Sequence, residues 1–431
     1  MLKRISTSQI ELGMFVHKLE GSWFSHPFWK SRFLLESPDI LDTLRNSALD
    51  AVIIDIEKGC DVAPEPRPVA KAAPLASLQG RTAFRSAAAR PNRAAKPPVM
   101  FAGTQPTSGP VPITREFGNA RLTAGKARKV ISKVFLEARL GKSPKIAEVE
   151  PVVEDIYGSI QRNPFAFSGL MRCKSDQEVA YRHSLSVSAM MVSLARQMKL
   201  TPLETREAGM AGLLMNIGVA QIDVDLNANQ GKFDKIDPEL LFRHTSIGYD
   251  LLKACDEIPH SVARVALNHH EVMDGKGFPQ GLVGDEIDLF SRMAAVCDTY
   301  DHLLCGAYDG TGMDPAAAVT RLQADKSRYD SNILERFIET VGVYPIGTFV
   351  ELESGRVAMV VDQDPAAPDM PTVRAFYSLE RRRHVTAETI ALSVCYGSDA
   401  IKGIASLEGL ELPDAAQLRE KLLTAAIRSA R

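Results

Sequence analysis

Several things are scarce in this chain, and each scarcity excludes something. No uninterrupted apolar run approaches the ~20 residues that a membrane-spanning helix needs. Charge of one sign is not in excess: 51 basic and 53 acidic side chains leave a formal net charge of -2. That balance argues against a nucleic-acid-binding surface spread over the whole molecule. Six cysteines are scattered at positions 60, 173, 255, 297, 305 and 395, with no C-x-x-C pair. A cysteine zinc site is therefore not expected, and reduced thiols in a cytoplasmic protein are the expectation. The start, Met1-Leu2-Lys3-Arg4-Ile5-Ser6, is basic, but Gln9 and Glu11 break the apolar stretch after it, so it does not read as a secretory signal. Neither a membrane nor a nucleic acid is expected as partner.

What is present is an ordinary globular composition, 45% hydrophobic and 24% charged over 431 residues, enough for two or three domains. Residues 1–60 form a small α+β block. Ile10, Leu12, Met14 and Val16 alternate as a half-buried strand, Ser37 to Asn46 has helical spacing in Ile40, Leu41 and Leu44, and Ala51 to Ile56 reads as a buried strand. Residues 61–112 hold ten of the 25 prolines, with much alanine and arginine. That composition buries too little apolar surface to offset ordering entropy, and it reads as a flexible linker.

Residues 113–343 are expected to be a helical bundle. Val130, Ile131, Val134 and Phe135 mark one helix, and Val187, Met190, Met191 and Leu194 another. Ile247, Leu251 and Leu252 mark a third, and Arg292 to Leu304 is apolar at helical spacing. The methionines read as core filler. In residues 344–431 the period becomes two. Thr348–Leu352, Val357–Val361 and Val373–Tyr377 are expected strands, with a turn at Glu353-Ser354-Gly355 and a terminal helix from Asp414 to Ala426. The fold class is thus mainly α, with a small α+β N-terminal domain and a small C-terminal β subdomain.

The chemistry-bearing residues lie in the helical region. His269-His270-Glu271 ends an expected helix and runs directly into the turn Val272-Met273-Asp274-Gly275-Lys276-Gly277-Phe278-Pro279. Adjacent histidines point about 100° apart on a helix, so they reach neighbouring metals, or one metal and a substrate oxygen. His183 and His244 stand at other apolar helical segments. Asp298 lies inside an apolar helix, where an unpaired carboxylate is costly. A lone buried His or Asp is usually a hydrogen-bonded core residue, but five in one bundle raise the metal-site reading. His302, four residues after Asp298, reads mainly as a packing residue and secondarily as a ligand. Glu271 and Asp274 read equally as acceptors that orient histidines and as turn formers. His17, His26, His260 and His384 have no partner visible in sequence and read as structural or surface residues.

Over about residues 120–400 the sequence resembles the HD-GYP family, bacterial cyclic di-GMP phosphodiesterases within the HD-domain metal phosphohydrolases. The anchors are Tyr181-Arg182-His183-Ser184, Ala211-Gly212-Leu213-Leu214, His244 with Gly248, His269-His270-Glu271 through Pro279, and Asp298-Thr299-Tyr300-Asp301. The resemblance implies an HD-type helical bundle with metal ligands His183, His244, His269, His270 and Asp298. It implies a substrate loop at Asp274, Gly275, Gly277, Phe278 and Pro279, where the family has Gly-Tyr-Pro. It also implies a histidine–aspartate ligand pair and a lysine where this chain has Met215, Asn216 and Val219, and a glutamate where it has Val179, with Glu178 one position away. The basic stretch after the family's last ligand is replaced by Cys305 to Gly310.

The losses have a direct consequence. Two-metal hydrolysis needs a bridging carboxylate, and asparagine cannot bridge. Methionine's thioether is soft, and valine cannot stabilise charge on a phosphate. The expectation is a degenerate family member that holds at most one divalent metal (iron, manganese or zinc) or none. It would act through nucleotide sensing or protein partners in cyclic di-GMP signalling. The alternative is an active phosphodiesterase with a reduced metal site.

Overall fold

The computed structural model describes residues 2–20, 33–35, 38, 41, 45, 51–60, 111–173, 179–222, 237–306, 312–365, 367–395 and 399–429. The chain divides into two compact units, Met1–Ala102 and Gly103–Arg431. The expected linker lies almost wholly outside the described residues.

In the first unit, strands β1 (Leu2–Ile5), β2 (Phe15–Glu20), β3 (Phe33–Leu34) and β4 (Ala51–Asp55) make an antiparallel sheet in the order β1-β4-β2-β3. Ile5, Ile10, Met14, Val16, Leu35, Val52 and Ile54 form its core. The alternation from Ile10 to Val16 is only partly a strand. Ile10 and Met14 are buried as expected, but Leu12 is 45% exposed and the strand begins at Phe15. Gly13, at φ +86, reverses the chain there. Of the expected helix Ser37–Asn46, Pro38, Leu41 and Arg45 are helical and the other positions lie outside the described residues.

The second unit begins with helices α1 (Ile113–Arg139), α2 (Ile146–Arg162) and α3 (Ala166–Cys173). Helices α4 (Val179–Gln197) and α5 (Pro202–Leu214) come next; α4 carries His183, and Asn216 follows α5. Thr201 caps α5 by accepting from the Glu204 amide, and Pro202 takes the first helical position, where no amide is needed. The two helices approach so closely that a Cβ on Gly212 would sit 3.0 Å from Ser188 Cα.

After α5 the chain makes a 3₁₀ turn, Ile217–Gln221, against α6 (Pro238–Lys253). A Cβ on Gly218 would meet the His244 carbonyl at 2.0 Å and the Gly248 amide at 2.5 Å. Only glycine permits that approach, which sets the turn carrying Asn216 against the helix carrying His244. Helices α7 (His260–Asn268), α8 (Leu289–Cys305), α9 (Pro315–Ala324) and α10 (Ser331–Val341) complete the bundle.

An antiparallel sheet in the order β8-β7-β6-β5-β9 comes after the bundle, built from β5 (Phe349–Leu352), β6 (Arg356–Asp362), β7 (Thr372–Ser378), β8 (Arg383–Ala391) and β9 (Ile401–Ile404). The first three are the expected strands. Helix α11 (Ala415–Ser429) closes the chain, capped by the Asp414 carboxylate.

Candidate metal centre

Four helices deliver the site. His183 comes from α4, His244 from α6, His269 and His270 from the end of α7, and Asp298, Asp301 and His302 from α8. Their donor atoms fall into two neighbouring groups, each within 4.8 Å: His244, His269 and His270 in one, His183, Asp298 and His302 in the other. All five ligands expected from the sequence are therefore brought together. His302, expected mainly to pack, is placed as a sixth donor. Its Nδ1 donates to Asp298 Oδ2 at 3.1 Å while its ring stacks on His183 with centroids 4.5 Å apart.

The first group is a set of neutral imidazoles. His269 donates Nδ1–H to the carbonyls of Val265 and Ala266 at 3.0 and 3.1 Å. His244 donates Nδ1–H to the Leu241 carbonyl. In both rings Nε2 is consequently the bare lone pair, and the two Nε2 atoms face each other at 3.3 Å. Two lone pairs at that separation repel unless a cation lies between them, which is the arrangement a metal ion satisfies. Burial, with the neighbouring His269 as the second cause, pushes His244 down to about 3. Burial pushes His269 down, and burial with His269 beside it pushes His270 well below the ordinary range. Nitrogen donors in this state suit zinc, iron or manganese.

The second group is an ionic clamp. His183 donates Nδ1–H to Asp301 Oδ2 at 2.8 Å and Nε2–H to Asp298 Oδ1 at 3.0 Å. Burial opposes the charged ring, but the two carboxylates outweigh it and hold His183 up to about 10. Burial would raise Asp298, yet His302, His183 and His270 keep it well below the usual carboxylate range. Asp301 is likewise held down, against burial, by His183 and by the Ser186 hydroxyl that donates to it. Asp298 also stands between the groups, its Oδ2 lying 3.8 Å from His270 Nδ1.

Of the substituted positions, one is placed against the donors. Asn216 brings its amide to 3.0 Å from His183 Nε2. Met215 is fully buried at the C-cap of α5, and Val219 is buried in the 3₁₀ turn. Glu178 lies outside the described residues, as does Val179's side chain, and so do residues 307–310 of the stretch after α8.

The loop from Glu271 to Val283 lies against His270 through Phe278. Glu271 accepts the amides of Gln280, Gly281 and Leu282 at 2.6, 3.1 and 3.0 Å, and Asp274 accepts the Lys276 amide at 3.1 Å. Both acids thus build the turn, and orientation of a histidine falls instead to Asp301, which sequence reasoning alone does not single out. Gly275 has φ +74, and a Cβ on Gly277 would sit 2.5 Å from Glu271 Cα. The Phe278 ring stacks on His270 at 4.6 Å and meets Phe242 at a tilt with centroids 4.2 Å apart, with Pro279 next in the chain. His260 and His384 are exposed, consistent with surface roles, and His26 lies outside the described residues.

Comparison with known proteins gives the site a context. Residues 2–149 match a family profile described as a domain of unknown function (DUF3391), and residues 167–333 match the HD domain. The chain is 36% identical over 411 residues, 95% of its length and 93% of the relative's, to a cyclic di-GMP phosphodiesterase of Pseudomonas aeruginosa. It is 24% identical over 193 residues to the cyclic di-GMP phosphodiesterase PdeB of Borreliella burgdorferi, covering 44% of this chain and 50% of that one. It is 35% identical over 136 residues to a cyclic di-GMP phosphodiesterase response regulator of Xanthomonas campestris, covering 31% and 36%. Among solved structures, a protein of Bdellovibrio bacteriovorus titled as an HDG"Y"P protein aligns with a TM-score of 0.42 at 19% identity, over 51% of this chain and 70% of that chain. Among the described residues no helix is long and apolar enough to cross a membrane.

Proposed function

The chain belongs to the HD-GYP branch of the HD-domain family, and from that premise we propose that it is a cyclic di-GMP signalling protein with a one-metal site and impaired hydrolysis. The observation that carries the reading is the difference between the two donor groups. His244, His269 and His270 are neutral, and His244 and His269 turn bare nitrogens toward each other. His183 spends both nitrogens on Asp298 and Asp301, and its neighbour Asn216 brings an amide where a bridging carboxylate would stand.

A divalent cation held by the three imidazoles, with Asp298 adjacent, would supply Lewis acidity toward a phosphodiester. What this chain's own residues do is narrower. They hold the cation, present Phe278 stacked over His270 as a flat apolar surface, and leave the phosphate without a cationic side chain at Val219. The result is binding of cyclic di-GMP with slow or absent turnover, and the output passes to protein partners in the cytoplasm.

A second reading, active hydrolysis through the remaining donors, draws support from His302, which completes a second donor group around Asp298. Elemental analysis of purified protein, with calorimetric titration and hydrolysis of cyclic di-GMP, separates the two. The first reading expects about one divalent ion per chain and binding without appreciable turnover. Two tightly held ions with rapid turnover would overturn it in favour of the second.

A further inference from the structure

Helix α1 has two faces of the same period. One is buried, with Phe117, Ala120, Ala124, Ala127, Ile131 and Val134 turned to the core. The opposite face carries Leu122, Lys126, Lys129, Lys133, Leu136 and Leu140, and every one of these residues is exposed. Their spacing, four-three-four-three-four, is that of a coiled-coil seam, and it runs about 27 Å at 1.5 Å per residue. The three leucines are 68%, 61% and 67% exposed, an unusual outlay of apolar surface along one line. Arg121, Arg128 and Arg139 flank the seam and are exposed as well. Among the described residues, Lys133 meets Glu148 at 2.7 Å and Glu137 at 3.9 Å, and Glu116 is buried against Arg162.

We propose that this seam docks an acidic amphipathic helix of another protein, one with carboxylates at three central seam positions and apolar residues at both ends. The pattern selects the occupant. A second copy of the same seam would set lysine against lysine. A membrane surface takes up a helix through a broad apolar face, and on α1 that face is already spent on the core, while the solvent seam is cationic at its centre and apolar only at its ends. An acidic helix matches both features: leucines pack at the ends, and carboxylates meet Lys126 and Lys129 and share Lys133 with Glu148 in the middle. None of the metal centre's donors lies on α1, so the seam and the centre can be tested separately.

The test uses the full chain and a synthetic helical peptide bearing glutamates at three consecutive seam positions between leucines, read by fluorescence anisotropy. Controls are a peptide of the same composition with the seam order shuffled, and phosphatidylglycerol vesicles. The acidic peptide should bind at least about tenfold more tightly than the shuffled one and weaken as salt rises. Combined Lys126→Glu, Lys129→Glu and Lys133→Glu should lose about tenfold in affinity for it and gain affinity for a peptide with lysines in place of the glutamates. Leu122→Asn with Leu140→Asn, at exposed positions where folding is indifferent, should weaken binding without changing its salt dependence. Equal binding of the two peptides, capture of vesicles but not peptide, or an affinity untouched by charge reversal would each overturn the proposal. Helical circular dichroism and metal content, unchanged in all variants, confirm that the fold is retained.

Discussion

At position 216 a single atom decides much of the chemistry. An aspartate there would present two equivalent oxygens and a charge, whereas Asn216 presents one neutral carbonyl oxygen and an amide, 3.0 Å from His183 Nε2. Because Gly218 and the buried side chains of Leu213, Leu214 and Ile217 still fix the backbone, Met215→His with Asn216→Asp should raise the metal content from about one to two ions per chain. Adding Val219→Lys should then accelerate cyclic di-GMP hydrolysis by ~10²–10³ over the double variant, the usual worth of one electrostatic contact to the transition state. A wild-type turnover equal to the triple variant's would show that other groups do the chemistry. His183 gives a pH prediction for chelator-treated protein. Its pKa rises from an ordinary 6.5 to about 10 on folding, so its contribution to stability is complete below about pH 6.5 and is lost as pH rises through about 10. Asp301→Asn should lower stability at neutral pH by on the order of 3 kcal/mol, the cost of breaking a buried pair, and flatten that dependence in urea titrations between pH 6 and 10. The five candidate donors were legible because histidines and an aspartate inside apolar helices need partners. The pairing of Asp301 with His183 was not, although two acids three apart on one buried helix were a signal for it. His302 was ambiguous because i,i+4 spacing shows a shared face but not what the face meets.

At the level of the elements, glycines set how closely the ligand-bearing segments approach. Gly218 lets the turn after α5 lie directly on α6, and Gly125 on α1 meets nothing where its Cβ would be. The same substitution should therefore have opposite signs at the two positions. Gly218→Ala should destabilise by about 2 kcal/mol or more through overpacking and displace His244, lowering metal content. Gly125→Ala should stabilise by about 0.5–1 kcal/mol by reducing the entropy of the unfolded chain. Thermal unfolding with elemental analysis of both variants checks the pair, and a neutral Gly218→Ala would refute the close approach as a constraint. Helices with one apolar face and strands β5 to β7 were legible for the reason these elements are stable: each buries a periodic face. Strand β8 was not. Most of its positions from Arg383 to Ala391 are exposed and no apolar side alternates along it, so its register comes from pairing with β7 and not from its own pattern. Helix α3 is short and buried nearly all round, which leaves no face for a periodicity to reveal.

Across the whole molecule the question is which parts stand alone. Every donor of the candidate metal centre lies within Gly103–Arg431, and that unit holds both the bundle and the C-terminal sheet. Their connection comes late in the chain but is physically central. Helix α11 packs against α1, α3 and β6. Its Arg419 donates to the Gly347 carbonyl at 2.8 Å, lies 3.4 Å from Asp314 Oδ2, and places its guanidinium 5.0 Å from the centre of the Phe349 ring. Leu418, Leu422, Leu423 and Ile427 of the same helix are all buried. A chain beginning at Gly103 should accordingly fold on its own, unfold cooperatively and carry the same metal content as the full protein. A chain ending at Leu412 should not. Removing α11 forfeits the burial of four large apolar side chains, and at ~2 kcal/mol or more for each the loss is on the order of 8 kcal/mol, comparable to the whole stability of a typical domain. Circular dichroism melts of the two truncations decide the matter. If the chain lacking α11 melts with the full protein, the sheet and terminal helix are appendages and the bundle alone sustains the site. If the chain starting at Gly103 fails to fold, the first unit supplies stability to the second beyond what two separately compact units would require.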